Sequence, residues 1–145
     1  LIYNANNVFS YGSGDIQYEV STQLKRMFLS KEKLIYNIDG VTFDEATFNV
    51  LKHNDVVILI SLSGNSDEIL EIARRLKLRG IRIISITEFK DNLLTQISDE
   101  SLYINSMDLT IFDTRVPFKT TMLYFVLIEL LFIKYCVYVN KANSE

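Results

Sequence analysis

Small polar residues cluster in two short segments of this 145-residue chain, and each segment leads from a hydrophobic run into a helix-like pattern. The segments are Gly12-Ser13-Gly14 and Ser61-Leu62-Ser63-Gly64-Asn65-Ser66. A helix N-terminus presents free N–H groups and the positive end of the helix dipole, which suit a phosphate. The three serine hydroxyls of the second segment add donors, and its glycine lets an anion approach the backbone closely. Because one helix cap needs fewer groups than these, the sequence predicts a phosphate-binding site.

Other ligands of such loops fit the sequence less well. A dinucleotide fingerprint that starts at Gly12 would need a third glycine at position 17, where the chain has Gln17. Asp39 could hold a ribose in that arrangement, but the fingerprint is incomplete where the helix must approach the strand. No GxxxxGK(S/T) segment is present, so nucleotide hydrolysis lacks its lysine.

Groups for catalysis are sparse. Aldose–ketose isomerisation needs a base, usually a carboxylate, and often a histidine for ring opening. The single histidine, His53, precedes a strand-like run, at the end of the sheet away from the serines, and is expected in a solvated turn. Glu68 and Glu88 are the carboxylates best placed to act as a base, although Glu68 is also suited to a helix cap. Cys136 lies in an apolar run and is expected to serve packing. We therefore expect no enzyme activity, no metal ion and no cofactor.

Alternating hydrophobic patterns predict the elements that position these residues. Strand-like runs cover 8–11, 33–37, 56–60, 81–86 and 101–104, and helical spacing follows each of them. The run 56–60 is apolar on both faces, which is typical of a central strand covered on both sides. Alternation with short connections predicts one α/β domain over 1–145, a three-layer, doubly wound parallel sheet. Ligands of such sheets bind beyond the carboxyl ends of the strands, where the strand order reverses.

Local signals predict where the helices begin and end. Two pairs have the capping-box spacing, Thr42 with Glu45 and Asn65 with Glu68. Two aspartates are expected to cap the helices that follow them, Asp15 (with Ile16 packing beneath it) and Asp91. Gly80 is expected to end the helix that follows Asn65.

Composition favours a cytoplasmic protein. The chain has 15 Lys and Arg against 18 Asp and Glu, a net charge of −3, and one cysteine, so it attracts nucleic acid poorly and forms no internal disulfide. The basic residues 74, 75, 77 and 79 suit the C-terminal end of a helix, where positive charge complements the dipole. The sequence opens without a basic segment followed by an apolar one, so we expect no signal peptide here.

The run Met122–Val139 is long and apolar enough to raise the question of a membrane span. Glu129 and Lys134 lie in its centre, and each charge would cost about 2.5–3.5 kcal/mol at mid-bilayer. Since they are five positions apart, they are also poorly placed to pair on one helix face. We expect a long core or subunit-interface helix and no membrane.

Several segments resemble a known family. Asp55–Glu68 resembles the signature of sugar isomerase (SIS) domains, in which a hydrophobic strand leads into SxSGxTxE, and Ile83–Thr87 resembles the family's next strand. Three further segments resemble the sugar-phosphate-sensing domain of RpiR-type transcriptional regulators: Tyr11–Gly14 with Gln17, Leu24–Phe28, and Pro117-Phe118 before the apolar helix. The resemblance covers most of Val8–Val139.

The resemblance implies a flavodoxin-like sheet that binds a phosphorylated sugar, in a homodimer or tetramer, within a regulator of carbohydrate metabolism genes. In such regulators an N-terminal helix-turn-helix domain binds DNA. Because the chain begins with Leu1 rather than methionine, we expect it to be the C-terminal, effector-binding part of a longer protein.

Residues carried over by position make up the expected site. Its phosphosugar-binding residues are Gly12, Ser13, Gly14, Ser61, Ser63, Gly64, Asn65 and Ser66, with Gln17 and Glu88 as candidate sugar contacts. Ser66 replaces the usual threonine and keeps its hydroxyl. Ile16 stands where many SIS domains have a ligand-contacting serine, so either the second loop alone carries the phosphate or the effector differs from the commoner hexose phosphates. A sugar-phosphate isomerase and a dimerisation module with a degenerate pocket are the alternatives.

Overall fold

Five parallel strands form the centre of the molecule in a computed structural model that describes residues 1–38, 43–88, 91–106, 108–109 and 118–144. The strands are β1 (Val8–Gly12), β2 (Ile35–Asn37), β3 (Val56–Ile60), β4 (Arg82–Glu88) and β5 (Glu100–Ile104). The helices are α1 (Asp15–Leu29), α2 (Glu45–Val50), α3 (Asp67–Leu78), α4 (Leu93–Ile97) and α5 (Met122–Ala142). A short antiparallel pair, β6 (Asp108–Leu109) with β7 (Phe118–Lys119), precedes α5 and was not expected from the sequence.

The strand order is β2-β1-β3-β4-β5, so the order reverses between β1 and β3. This is the doubly wound, flavodoxin-like sheet that the alternating pattern predicts. All five residues of β3 are buried, which confirms its central position.

Alternate residues of β3 build two cores. Val56, Ile58 and Ile60 pack with residues of α1 and α5 on one face of the sheet. Val57 and Leu59 pack on the other face with residues of α2, α3 and α4. The sheet therefore lies between two helical layers, and its polar loops are left at the strand ends.

The helix caps differ from the sequence expectations by one or two residues. Ser66 caps α3 in place of Asn65, Asp44 caps α2 in place of Thr42, and Asn92 caps α4 in place of Asp91. In each case the capping oxygen accepts the N–H three residues on, at 3.4, 2.9 and 3.0 Å respectively. Thr42 itself lies outside the described residues, as do Asp39 and Pro117.

Helix α5 is not the buried core helix that its apolar sequence suggests. Its buried residues are Tyr124 and Ile128, and it packs against α1 through the rings of Phe132 and Tyr135, whose centroids lie 5.4 and 4.9 Å from that of Phe28. The opposite face is exposed to solvent. By length and composition alone α5 could cross a membrane, and a single helix of this kind is weak evidence for a membrane protein.

Candidate functional site: the crevice between β1 and β3

Two loops leave the sheet where the strand order reverses. The first loop, Gly12–Gly14, connects β1 to α1, and the serine loop, Ser61–Ser66, connects β3 to α3. The Ser13 N–H donates to the carbonyl of Ile60 at 2.9 Å, which joins the two loops at their bases. The structure thus brings the two predicted segments together, at the place where ligands of open α/β sheets bind.

Serine hydroxyls hold the serine loop in shape. Ser61 Oγ accepts the N–H of Gly64 at 3.2 Å, and Ser63 Oγ accepts the N–H of Asn65 at 3.3 Å. Ser61 is buried, with 3% of its surface exposed, whereas Ser63 and Ser66 are exposed. The two outer hydroxyls are therefore the ones open to a ligand, and Ser61 lies beneath them.

Contacts with neighbouring elements fix the position of the serine loop. The Gly64 carbonyl accepts the N–H of Leu94 at 3.0 Å, and Asn65 Oδ1 accepts the N–H of Leu93 at 2.9 Å. Gly64 has φ +65°, and a Cβ there would lie 2.3 Å from Asn92 Oδ1. Only glycine fits this position without displacing the buried side chain of Asn92. The serine loop therefore packs directly against the start of α4.

The first loop brings α1 close to the end of β1. A Cβ on Gly12 would lie 2.3 Å from the backbone carbonyl carbon of Gln17, so the first turn of α1 is pressed against the strand. Gly14, with φ +119°, occupies the cap position of α1 and supplies no side-chain bond there. Asp15 is accordingly the first residue of the helix rather than its cap. Ile16 is 37% exposed and does not pack beneath the loop, so both expectations for these residues are wrong.

The two candidate sugar contacts lie in a polar cluster beside the first loop, formed by the buried Gln17, Glu88 and Tyr124 and the partly buried Ser106 and Lys119. Gln17 Nε2 donates to Tyr124 Oη at 3.5 Å. Glu88 Oε1 accepts the hydroxyl of Ser106 and lies 3.7 Å from Lys119 Nζ. Burial, with the Glu88 charge adding to it, raises the pKa of Tyr124, while the Gln17 hydrogen bond opposes this shift. Sequence patterns missed Ser106 and Lys119 because they lie between β5 and α5, in a stretch without regular periodicity. They missed Tyr124 because its hydroxyl is a single polar group within the apolar pattern of α5.

Glu68 pairs with Tyr11 and does not complete a capping box. The Tyr11 hydroxyl donates to Glu68 Oε1 across the gap between β1 and α3. Burial, together with the hydrogen bond and charge of Glu68, raises the pKa of Tyr11 above its ordinary value. The Glu68 carboxylate therefore accepts a hydrogen bond from a neutral phenol, and this contact competes with any role of Glu68 as a catalytic base.

The other residues weighed as catalytic or binding groups lie away from the crevice. His53 is in an exposed turn before β3, at the opposite end of the sheet, and Cys136 is on α5. Three basic side chains of the α3 region have partners within the chain: Arg75 with Glu45, Lys77 with Asp99 at 2.7 Å, and Arg79 with the Phe48 carbonyl at 2.7 Å. Within the described part of the chain no group of three His, Cys, Asp or Glu residues is arranged to hold a metal ion.

Comparison with known proteins assigns the family. A family model described as SIS domain matches residues 1–134, and the chain belongs to the SIS-domain family. The HTH-type transcriptional regulator GlvR of Bacillus subtilis (strain 168) is 37% identical over 149 residues, which cover 100% of this chain and 57% of GlvR. An uncharacterized HTH-type transcriptional regulator of Clostridium perfringens (strain 13 / Type A) is 30% identical over 117 residues, 79% of this chain and 40% of that protein. The chain thus spans about half the length of these relatives.

Solved structures share the fold. The sugar isomerase domain of an RpiR transcription factor from Sphaerobacter thermophilus has a TM-score of 0.77 at 17% identity, covering 94% of this chain and 73% of its own. An E. coli CFT073 protein in complex with A5P has a TM-score of 0.77 at 23% identity, covering 92% and 71%. Vibrio vulnificus NanR in complex with ManNAc-6P has a TM-score of 0.68 at 16% identity, covering 99% and 55%. The expected fold and the resemblance to the SIS domains of RpiR-type regulators are confirmed.

Proposed function

We propose that this chain is the phosphosugar-binding effector domain of an RpiR-type transcriptional regulator of carbohydrate metabolism genes. In this proposal it acts in the cytoplasm as a homodimer or tetramer, without contact with a membrane. DNA is bound through a separate N-terminal helix-turn-helix domain, since the relatives that match are HTH-type regulators of nearly twice this length. The observation that carries the proposal is the serine loop, which ends at the N-terminus of α3 beside the strand-order reversal.

The phosphate is held by the exposed part of the serine loop. The first N–H groups of α3 have no acceptor within the helix and point toward the loop, where the helix dipole also favours an anion. Ser63 and Ser66 add hydroxyl donors at the surface, and Ser61 and Gly64 keep the loop in shape from below. Ser13 and the two glycines of the first loop form the facing wall of the crevice. The sugar then extends toward Gln17 and Glu88.

Calorimetric titration with sugar phosphates and the matching free sugars tests this proposal. Ser66→Asp is a sharp variant, because aspartate also caps helices well and therefore preserves α3 while placing a negative charge where the phosphate binds. We expect Ser66→Asp to abolish binding with little change in melting temperature. Ser63→Ala should weaken binding about tenfold to a hundredfold, since a charge-assisted hydrogen bond contributes about 1.5–3 kcal/mol. Ser30→Ala, at an exposed serine after α1, is the matched control. Undiminished binding by Ser66→Asp would refute the phosphate position.

A sensor is favoured over an isomerase by the contacts of Glu88 and by the position of His53. The one carboxylate at the end of β4, Glu88, already accepts the Ser106 hydroxyl and lies near Lys119, and His53 lies at the far end of the sheet. Ketose–aldose turnover by the purified chain, lost in Glu88→Gln, would reverse this ranking. A stable dimer that binds none of the sugar phosphates would instead favour a dimerisation module with a degenerate pocket.

A further inference from the structure

The outer face of α5 carries a regular stripe of exposed apolar side chains. The outer stripe consists of Val126, Leu130, Ile133 and Val137, which are 46, 54, 55 and 48% exposed. These residues follow one another at spacings of four, three and four, which is the seam of a heptad repeat. The opposite face of α5 packs on α1. The stripe therefore has the pattern of a coiled-coil helix but no partner among the described residues of this chain.

Two charges flank the outer stripe, one on each side. With Leu130 and Val137 at heptad positions a, and Val126 and Ile133 at positions d, Glu129 falls at g and Lys134 at the following e. Both side chains are exposed. A separation of five residues does not allow pairing on one helix face. It is the separation at which a g residue of one helix meets the e residue of a parallel partner, and such pairs set the choice and orientation of the partner.

The orientation follows from the symmetry of the flanks. In a parallel pair related by a two-fold axis, the Glu129 flank of one helix faces the Lys134 flank of the other, so two complementary pairs form. In an antiparallel pair each flank faces its own copy, which sets the Glu129 carboxylates near each other and the Lys134 ammonium groups near each other. Charge complementarity therefore selects the parallel arrangement.

We propose that α5 is a homodimerisation helix that pairs with α5 of a second copy as a parallel, in-register coiled coil. The inference rests on the homodimer part of the proposed function and is independent of the ligand. A two-fold axis along α5 sets both serine loops at the same end of the dimer. It also brings the two N-terminal segments to one level, an arrangement suited to two DNA-binding domains on adjacent half-sites.

Site-directed cross-linking reports the orientation. In a Cys136→Ser background, Val126→Cys and Val137→Cys should each form a disulfide dimer alone on mild oxidation, because seam residues of a parallel pair lie opposite their own copies. An antiparallel pair centred on the stripe would set Val126 beside Val137 of the second copy. The two Val137 positions would then be about 16 Å apart along the axis, beyond the reach of a disulfide. Cross-linking only when the two variants are mixed would overturn the parallel arrangement.

Sedimentation equilibrium measures the contribution of each feature. Leu130→Glu should raise the dimer dissociation constant at least about a hundredfold, because two leucine side chains lose their burial. Leu78→Glu, at an 87% exposed leucine on α3, should leave it unchanged. Glu129→Lys should raise it about tenfold, and adding Lys134→Glu should restore it. A dimer that survives Leu130→Glu would overturn the proposal.

If something other than a second copy of α5 covers the outer stripe, sedimentation gives a different result. A monomeric wild-type chain that sediments with vesicles of phosphatidylcholine and phosphatidylglycerol would show that lipid covers the stripe, and a monomer that ignores vesicles would also refute dimerisation through α5. If the chain cross-links through α5 but binds no sugar phosphate, the proposed sensor function is refuted and the proposed dimerisation through α5 stands. The two proposals therefore fail separately.

Discussion

Alanine substitutions at Gly64 and Gly80 form a matched pair that tests how closely the serine loop packs against Asn92. Both glycines have a left-handed backbone, with φ +65° and +70°. An alanine at either position costs about 1–2 kcal/mol for that conformation. At Gly80 the nearest atom to an added Cβ is His53 Nδ1 at 3.8 Å, an ordinary contact. At Gly64 the Cβ would lie 2.3 Å from Asn92 Oδ1 and 2.6 Å from its Cγ, so Asn92 must move.

Displacing Asn92 has a cost that its hydrogen bonds define. Its Oδ1 accepts the Thr95 N–H at the start of α4, and its Nδ2 donates to Thr87 Oγ1 at 3.1 Å. Loss of a cap costs about 0.5–2 kcal/mol, and loss of a buried hydrogen bond costs about 0.5–1.5 kcal/mol. We therefore expect Gly64→Ala to lower the free energy of unfolding by about 2–5 kcal/mol, against about 1–2 kcal/mol for Gly80→Ala.

Urea unfolding and thermal melting of the two variants measure this difference. At about 3 °C per kcal/mol for a chain of this size, Gly64→Ala should melt about 6–15 °C below the wild type and Gly80→Ala about 3–6 °C below it. Equal melting temperatures for the two variants would refute the close packing of the serine loop on Asn92.

Three further substitutions have expected outcomes. Burial and Glu68 raise the pKa of Tyr11 in the folded state, so the stability that the protonated phenol contributes is lost as pH rises above about 10. Tyr11→Phe should therefore reduce the fall in the urea midpoint between about pH 8 and pH 11. An unchanged fall would contradict the buried pairing with Glu68. Burial acts to raise the pKa of Asp99, but the hydrogen bonds from Lys77 and from the Ile83 N–H lower it overall. Asp99→Asn should therefore lower stability by about 1 kcal/mol at pH 7 and by much less near pH 2, and a loss that does not vary with pH would argue against this ion pair. Asp15→Asn, which removes an exposed charge beside the first loop, should tighten sugar-phosphate binding about twofold to fivefold in calorimetry, whereas unchanged affinity would show that Asp15 does not face the phosphate.

Periodicity was enough to predict the sheet and the two polar loops at the ends of its strands. The apolar run 56–60 predicts β3 to the residue, because a run of five aliphatic, mostly β-branched residues between polar turn segments is typical of a strand buried on both faces. Each polar loop directly follows a predicted strand, whereas the strand order that makes the two loops neighbours comes from the structure. The helix starts were less predictable, because Asn65 and Ser66 are both good capping residues. The choice between them involves α4, since Asn65 Oδ1 accepts the N–H of Leu93 and Ser66 caps α3.

Tertiary contacts explain the other differences. The partner of Glu68 is Tyr11, 57 positions away, and no local pattern contains that pairing. The polar cluster around Glu88 likewise draws on Ser106, Lys119 and Tyr124, which come to it from beyond β5. For α5, the apolar composition indicates burial but does not say which surface buries the helix. One face of α5 packs against α1, and the other face is exposed among the described residues.

The position of β1 between β2 and β3 also governs the order in which the chain can fold. Val8 pairs with Ile35 on one side and with Val56 on the other, so the neighbours of β1 follow it in the chain by 27 and by 48 residues. Such distant pairings make folding slow, because the loops must close before any contact compensates their lost entropy. Until β3 has been synthesised, Val8 and the rest of β1 lack one entire edge of hydrogen bonds. During synthesis, therefore, the strand that leads to the first loop is the part of this domain most in need of protection from other nascent chains.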